Sequence, residues 1–264
     1  MAPAQRYVDT LPEPPHPPLP MKVIVLSYSR SGTLGLYRAL NMLGYRCYHT
    51  VEMMREGVSH LRLFNEAHRA HLPFPTSTSP SSPSPSPKPY TRADFDRWLH
   101  AYDALSDIPC HLFPEIIAAY PSAKFILVKR DPDRWMASVR ATVGALMDDM
   151  SRFPLRYCRL FDAFLDDFFR FNEQIVAQAS RGGNIASVKK LVPPEQLCVV
   201  RLEDGLGWEQ ICPFLELPIP ETKYPRGNEP LEFKGVVYGL MAPHIRKAMF
   251  TMGAALVGAL SVGA

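Results

Sequence analysis

With 264 residues, 47% of them apolar, and a formal net charge of +3, the chain can bury one substantial core. Its charge balance is too weak to mark a nucleic-acid partner. Five cysteines (Cys47, Cys110, Cys158, Cys198, Cys212) are odd in number, widely spaced and free of any Cys-x-x-Cys pair. That argues against a disulfide framework or a zinc site and suits a reducing, cytoplasmic setting.

Residues 1–20 hold seven prolines and no apolar run of secretory-signal length, so they read as an extended or disordered arm. Val23 to Leu26 reads as a strand buried on both faces. A helix follows at once, with Leu36, Ala39, Leu40 and Leu43 at helical spacing. Tyr45 to His49 is a short strand or connector, and Val51 to His71 is helical. The tract 72–89 is almost entirely Pro and Ser and cannot offset its ordering entropy, so it reads as a surface loop inserted into one domain.

Asp94 to Tyr102 has a helical pattern with Thr91 as its cap, and Ala104 to Ile108 is a short strand. Leu112 to Tyr120 is a helix, and Lys124 to Val128 is a second buried strand. A further helix is marked by Trp135, Ser138, Val139 and Val143, and a long aromatic one by Pro154 to Gln178. Leu197 to Arg201 is a strand, followed by a helix from Trp208 through Phe214. This alternation predicts an α/β fold, a parallel sheet covered by helices on both faces. The domain spans residues 21–235, with a helical tail over 236–264. In such sheets ligands sit outside the carboxyl ends of the strands. Arg30, Asp107, Arg130 and Arg201 fall at or just after strand ends and are expected to face one cleft.

The loop Ser27-Tyr-Ser-Arg-Ser-Gly-Thr33, between strand and helix N-terminus, aims unpaired backbone N–H groups at one spot. Arg30 adds a full charge there, and Ser29, Ser31 and Thr33 add hydroxyls, which points to phosphate or sulfate chemistry. Nucleotide hydrolases require Gly-x-x-x-x-Gly-Lys before Ser or Thr. Here the Lys is missing and Ser27 stands in place of the first Gly, which disfavours ATP or GTP hydrolysis.

Four blocks in order resemble the sulfotransferases, specifically a fungal and animal branch related to the cytosolic enzymes. They are Val25 to Thr33 with Ala39 to Tyr45 and His49; Tyr102 to Pro109; Ala119 to Ser138; and Gly207 to Leu215 with Tyr224-Pro-Arg-Gly-Asn228. The resemblance implies the three-layer α/β/α P-loop nucleotide-binding fold without nucleotide hydrolysis, and 3′-phosphoadenosine 5′-phosphosulfate as donor. It places Ser29, Arg30, Ser31, Gly32 and Thr33 on the 5′-phosphosulfate, Arg130 and Ser138 on the 3′-phosphate, and Arg226 with the donor.

The reaction implied is sulfuryl transfer to a hydroxyl, with Arg30 stabilising charge. Asp107 is the first choice of base, and Asp103 and His49 are the other candidates. The family usually has Gly and Pro where Ser27 and Ser29 stand, and a helix-borne Ser at Gly35. Losing that hydroxyl removes a contact worth roughly 1.5–3 kcal/mol, for which Ser29 compensates. The departures leave a second reading open, a non-catalytic scaffold that keeps the fold.

Trp98, Tyr102, Trp135 and Leu160 to Phe171 are expected either in the core or lining an apolar pocket for a small lipophilic acceptor. His60, His68, His71, His100 and His111 have no ligand spacing and read as packing or surface residues; no metal is expected. The uncharged stretch Ala248 to Ala264 follows Arg246-Lys247. It is read either as a final helix or as a weak membrane anchor, at the lower limit of spanning length.

Overall fold

Strands apolar at every position are satisfied only between two covering layers, and the chain builds those layers around its sheet. The computed structural model describes residues 5–71, 88–180, 185–226 and 230–262. Among them the sheet has five strands: β1 (Val23–Val25), β2 (Cys47–Tyr48), β3 (Ala104–Leu105), β4 (Lys124–Lys129) and β5 (Leu197–Arg201). Their order is β2-β3-β1-β4-β5, and every pairing is parallel. The helices are α1 (Thr33–Met42), α2 (Thr50–Glu56), α3 (Val58–His71), α4 (Arg92–Leu99), α5 (Phe113–Ala119) and α6 (Pro132–Val139). They continue as α7 (Ala145–Ser151), α8 (Leu155–Cys158), α9 (Ala163–Ser180), α10 (Ile185–Leu191), α11 (Trp208–Leu215) and α12 (Pro230–Val262).

Strand periodicity sorts the core into two faces. Val23, Val25, Ile126 and Val128 meet Leu36 and Leu40 of α1 and Ile211 and Leu215 of α11. Ile24, Leu26, Phe125 and Leu127 face the larger cluster, with Phe64, Phe95, Ile116, Phe164 and Phe168 from α3, α4, α5 and α9. Each fully buried aliphatic or aromatic side chain is worth about 1.5–3 kcal/mol relative to exposure. The result is three layers, α/β/α, about a parallel sheet, as the alternation of elements implied.

Helix boundaries differ from the sequence expectation where local backbone chemistry intervenes. Gly57, at φ 77°, ends α2, so Val51 to His71 forms two helices. The expected helix from Pro154 to Gln178 is split, because Asp162 accepts the Leu165 N–H at 3.1 Å and starts α9 afresh. A π stretch over Arg140–Gly144 joins α6 to α7. Thr91 and Asp94 form the capping box that opens α4.

Two expectations are corrected. The described part of the proline-rich arm is docked, not loose. Arg6 bridges Asp9 at 2.8 Å and Asp94 at 2.7 Å, Glu66 accepts the Tyr7 and Val8 N–H groups, and Val8 is fully buried. These contacts supply the enthalpy that composition alone did not reveal. The membrane anchor is overturned: among the described residues no helix is long and apolar enough to cross a membrane. Ala248 to Val262 is instead the end of α12, whose earlier turns pack on the domain through Val237, Met241 and Ala248. The Pro/Ser tract lies outside the described residues over 72–87.

Candidate active site

The loop after β1 is clamped from several sides. Ser27 is buried and its Oγ accepts the Val128 N–H at 2.7 Å, which ties the loop to β4. Trp135 Nε1 donates to the Ser29 carbonyl at 2.9 Å, and Arg130 Nη1 donates to the Arg30 carbonyl. Gly32 caps α1 at φ 82°, a conformation that favours glycine, and a Cβ there would have to push the Leu206 side chain aside from 2.8 Å. Arg30 itself is held at φ 69°. Strain of this kind persists where the surroundings enforce it.

Arg30 stands between two cavities. On one side is an open cleft of about 830 Å3 lined by Arg30, Arg130, Arg134, Ser138 and Arg226, with Gly32, Gly35 and Tyr224 along the wall. Arg30 Nε donates to Ser138 Oγ at 3.1 Å, and its guanidinium lies 5.3 Å over the Phe233 ring. Four guanidinium groups against two carboxylates, Glu203 and Glu232, leave the cleft net positive, which suits a multiply charged anion. Arg134 was not among the expected residues. Its position four before Ser138, on the same face of α6, is the signal that would have found it. Arg201 stays exposed beside Asp204 at 4.0 Å, outside this lining, and Leu202 and Glu203 of the following turn take its place. Its strand is the edge of the sheet, which leaves that side chain to solvent.

On the other side of Arg30 is a closed cavity of about 80 Å3, mostly apolar, that contains Ser29, Thr33, His49 and Asp107. Asp107, at φ 70°, accepts from Thr33 Oγ1 at 3.0 Å and from Thr50 Oγ1 at 2.5 Å. Thr33 and Ser29, expected on the anion, therefore sit on this side, while the Ser31 N–H donates within the loop to the Tyr28 carbonyl. His49 caps α2, and its Nδ1 accepts the Val51 N–H at 3.1 Å. The hydrogen of the neutral ring thus sits on Nε2, 3.8 Å from Asp107 Oδ2 and without a hydrogen-bond partner among the described residues. Burial pushes the His49 pKa down and keeps the ring neutral.

Asp103 is at the opposite end of β3. It pairs with Lys22 Nζ at 3.0 Å and accepts the Arg46 N–H at 2.7 Å, so it fastens the amino edge of the sheet. Trp98 and Tyr102 pack around Tyr48, away from either cavity, and Trp135 lies against Tyr28. From the aromatic helix, Phe168 and Phe171 do line the closed cavity. Gly35 also has a structural reason: a Cβ would stand 2.9 Å from the Pro225 carbonyl, so the Tyr224–Arg226 segment occupies the space a serine would need. Among the described residues no three His, Cys, Asp or Glu side chains are grouped as metal ligands.

A sulfotransferase-domain family profile matches residues 22–233. The Ava biosynthesis cluster protein M of Aspergillus versicolor is 31% identical over 221 residues, covering 78% of this chain and 80% of that protein. The crystal structure of a sulfotransferase from Alicyclobacillus acidocaldarius aligns with a TM-score of 0.39 and 14% identity, over 88% of this chain and 96% of that one. On the family profile, which spans both strand–loop–helix units flanking Arg30, the chain belongs to the sulfotransferase-domain family.

Proposed function

We propose that this chain is a sulfotransferase of the fungal and animal branch, moving a sulfuryl group from 3′-phosphoadenosine 5′-phosphosulfate to a hydroxyl of a small lipophilic acceptor. One observation carries the reading: Arg30 lines both the arginine-rich cleft and the closed apolar cavity that holds Asp107. A relative from Aspergillus supports the branch. Five free cysteines support a reducing, cytoplasmic setting.

The donor, when bound, would supply a sulfuryl group on a phosphoric–sulfuric mixed anhydride, with adenosine 3′,5′-bisphosphate as the leaving group once the acceptor oxygen bonds to sulfur. Arg130, Arg134, Ser138 and Arg226 bind its phosphates through charge-assisted hydrogen bonds, and their number suits a doubly phosphorylated nucleotide. Arg30 stabilises negative charge at the junction of the cavities, where little water competes. Asp107 takes the proton of the acceptor hydroxyl. Its two threonine partners orient the carboxylate, and carboxylate lone pairs remain for the substrate. His49 donates from Nε2; with Nδ1 committed to the backbone it acts as a donor in this tautomer, not as the base.

The test is calorimetry on wild type and Arg130→Ala with adenosine 3′,5′-bisphosphate, adenosine 5′-phosphosulfate and ATP, together with a sulfuryl-transfer assay on simple phenols. Wild type is expected to prefer the 3′-phosphorylated nucleotide at least tenfold. Arg130→Ala is expected to lose about 1.5–3 kcal/mol for that ligand and less for the other two, whose smaller loss reports release of the Arg30 carbonyl. Equal affinity for ATP would refute the donor assignment. Tight nucleotide binding without transfer to any hydroxyl would leave the scaffold reading in its place.

A further inference from the structure

The closed cavity holds two polar groups that the transfer chemistry does not use, His111 and Asn172, each at most 5% exposed. Their protonation and orientation are fixed by backbone carbonyls. Gln178 Nε2 donates to the His111 carbonyl at 3.3 Å, which turns its Oε1 toward the imidazole. His111 Nδ1 lies 2.6 Å from that oxygen and must carry the ring hydrogen. Nε2 is left with a bare lone pair, and no described hydrogen bond reaches it. Burial lowers the His111 pKa and keeps the ring neutral. Asn172 Nδ2 donates one of its two hydrogens to the Phe168 carbonyl at 2.8 Å, which fixes the amide and leaves its Oδ1 and second N–H without a described partner. The remaining wall is apolar, with Met54, Leu146, Phe168, Phe171 and Val237.

His111 Nε2 and Asn172 Oδ1 are both acceptors, against one remaining Asn172 N–H. A ligand that fills the cavity without a donor for them would cut them off from water with nothing in exchange, and sites built this way reject analogues lacking the matching group. We infer that His111 Nε2 and Asn172 Oδ1 form a second recognition point in the acceptor cavity, and that the acceptor is a compact apolar molecule bearing a hydrogen-bond donor besides the hydroxyl that is sulfated. A benzenediol is the simplest member of that class. The assignment rests on the proposed sulfuryl transfer for the identity of the first hydroxyl, while the recognition point itself is a matter of binding.

Two measurements on the full chain test it. In transfer assays with phenol, catechol, resorcinol and hydroquinone, at least one diol should exceed phenol tenfold or more in kcat/KM. Most of the gain should lie in KM. That ratio should fall to about one in His111→Phe and return in part in His111→Gln, which restores an acceptor oxygen. A wild-type ratio near one, or a ratio unchanged in His111→Phe, overturns the inference.

The second measurement is the imidazole 15N spectrum of wild type, which needs no variant and no turnover. His111 should show a protonated Nδ1 and a bare Nε2, and the Nε2 resonance should move on adding the preferred diol but not phenol. The opposite tautomer, or no diol-specific shift, overturns it. A diol-specific shift in a protein that transfers no sulfuryl group would uphold the recognition point and refute the transfer reading, so the two fail separately.

Discussion

On one side of Arg30 the chain keeps an open cleft of about 830 Å3 ringed by arginines; on the other it keeps a cavity of about 80 Å3 walled by α9 and α12 side chains. The open side is assembled from long, flexible cations that water can screen, so no single contact there dominates. The closed side has few polar groups, each fixed by a named partner: Asp107 by Thr33 and Thr50, His49 by the Val51 N–H, His111 by Gln178. A charged ligand can be caught by redundancy, whereas proton transfer and acceptor choice require fixed groups in low dielectric. The difference predicts graded losses on the open side and steep ones on the closed side.

The largest effect should come from Asp107→Asn, which keeps shape and one threonine hydroxyl bond, reverses the other, and removes the proposed base. Turnover is expected to fall roughly 10²–10⁴-fold while calorimetric affinity for adenosine 3′,5′-bisphosphate stays put. A near-wild-type rate would remove the proton-transfer role from the closed side and break the comparison.

Acid should weaken the packing behind the closed side, where His68 meets Gln178 and the His111 ring. His68 is fully buried and its pKa is pushed down to about 4, chiefly by burial. From about pH 6.5 down to about 4 the unfolded chain binds a proton that the folded chain refuses, so stability is complete above that window and falls as pH drops through it. This one group accounts for up to about 3 kcal/mol by pH 4, and burial of His49 and His111 acts in the same direction. Urea titrations at pH 7 and pH 4.5 should show the loss, and His68→Gln should flatten it. An unchanged slope in that variant would mean that other groups set the acid limit.

A smaller effect should separate the two sides. Gly35→Ser restores the hydroxyl common in relatives but drives its Cβ against the Pro225 carbonyl, 2.9 Å away. The overpacking should cost about 1–3 kcal/mol and displace Arg226, weakening nucleotide binding. The His111 resonance on the closed side should not move. Tighter nucleotide binding would mean that the added hydroxyl outweighs the crowding.

The strands around Ile24 and Phe125 and the turn at Arg30 were legible because each depends on neighbours within a turn or a strand, and their alternation with helices implied the layers. The clamps on that loop from Val128, Arg130 and Trp135 were not. Apolar runs specify burial, and Gly32 with Ser27 specifies a turn, wherever the rest of the chain goes. The sequence favours Asp107 over Asp103 for its place at or just after the strand end but leaves Asp103 a candidate. Four residues apart, they sit at opposite ends of β3, and only its pairing with β1 and β2 decides which faces Arg30. Ser29 and Thr33 line the smaller cavity, where Asp107, seventy-four residues beyond Thr33, holds the threonine hydroxyl. His111 read as a packing residue because its tautomer is written by Gln178, sixty-seven positions away. The arm docked for a similar reason, through Glu66 and Asp94. Periodicity is a local property that the amino-acid order determines by itself. Which cavity a side chain enters, and which of its atoms carries the hydrogen, depends on partners that only the folded chain brings together.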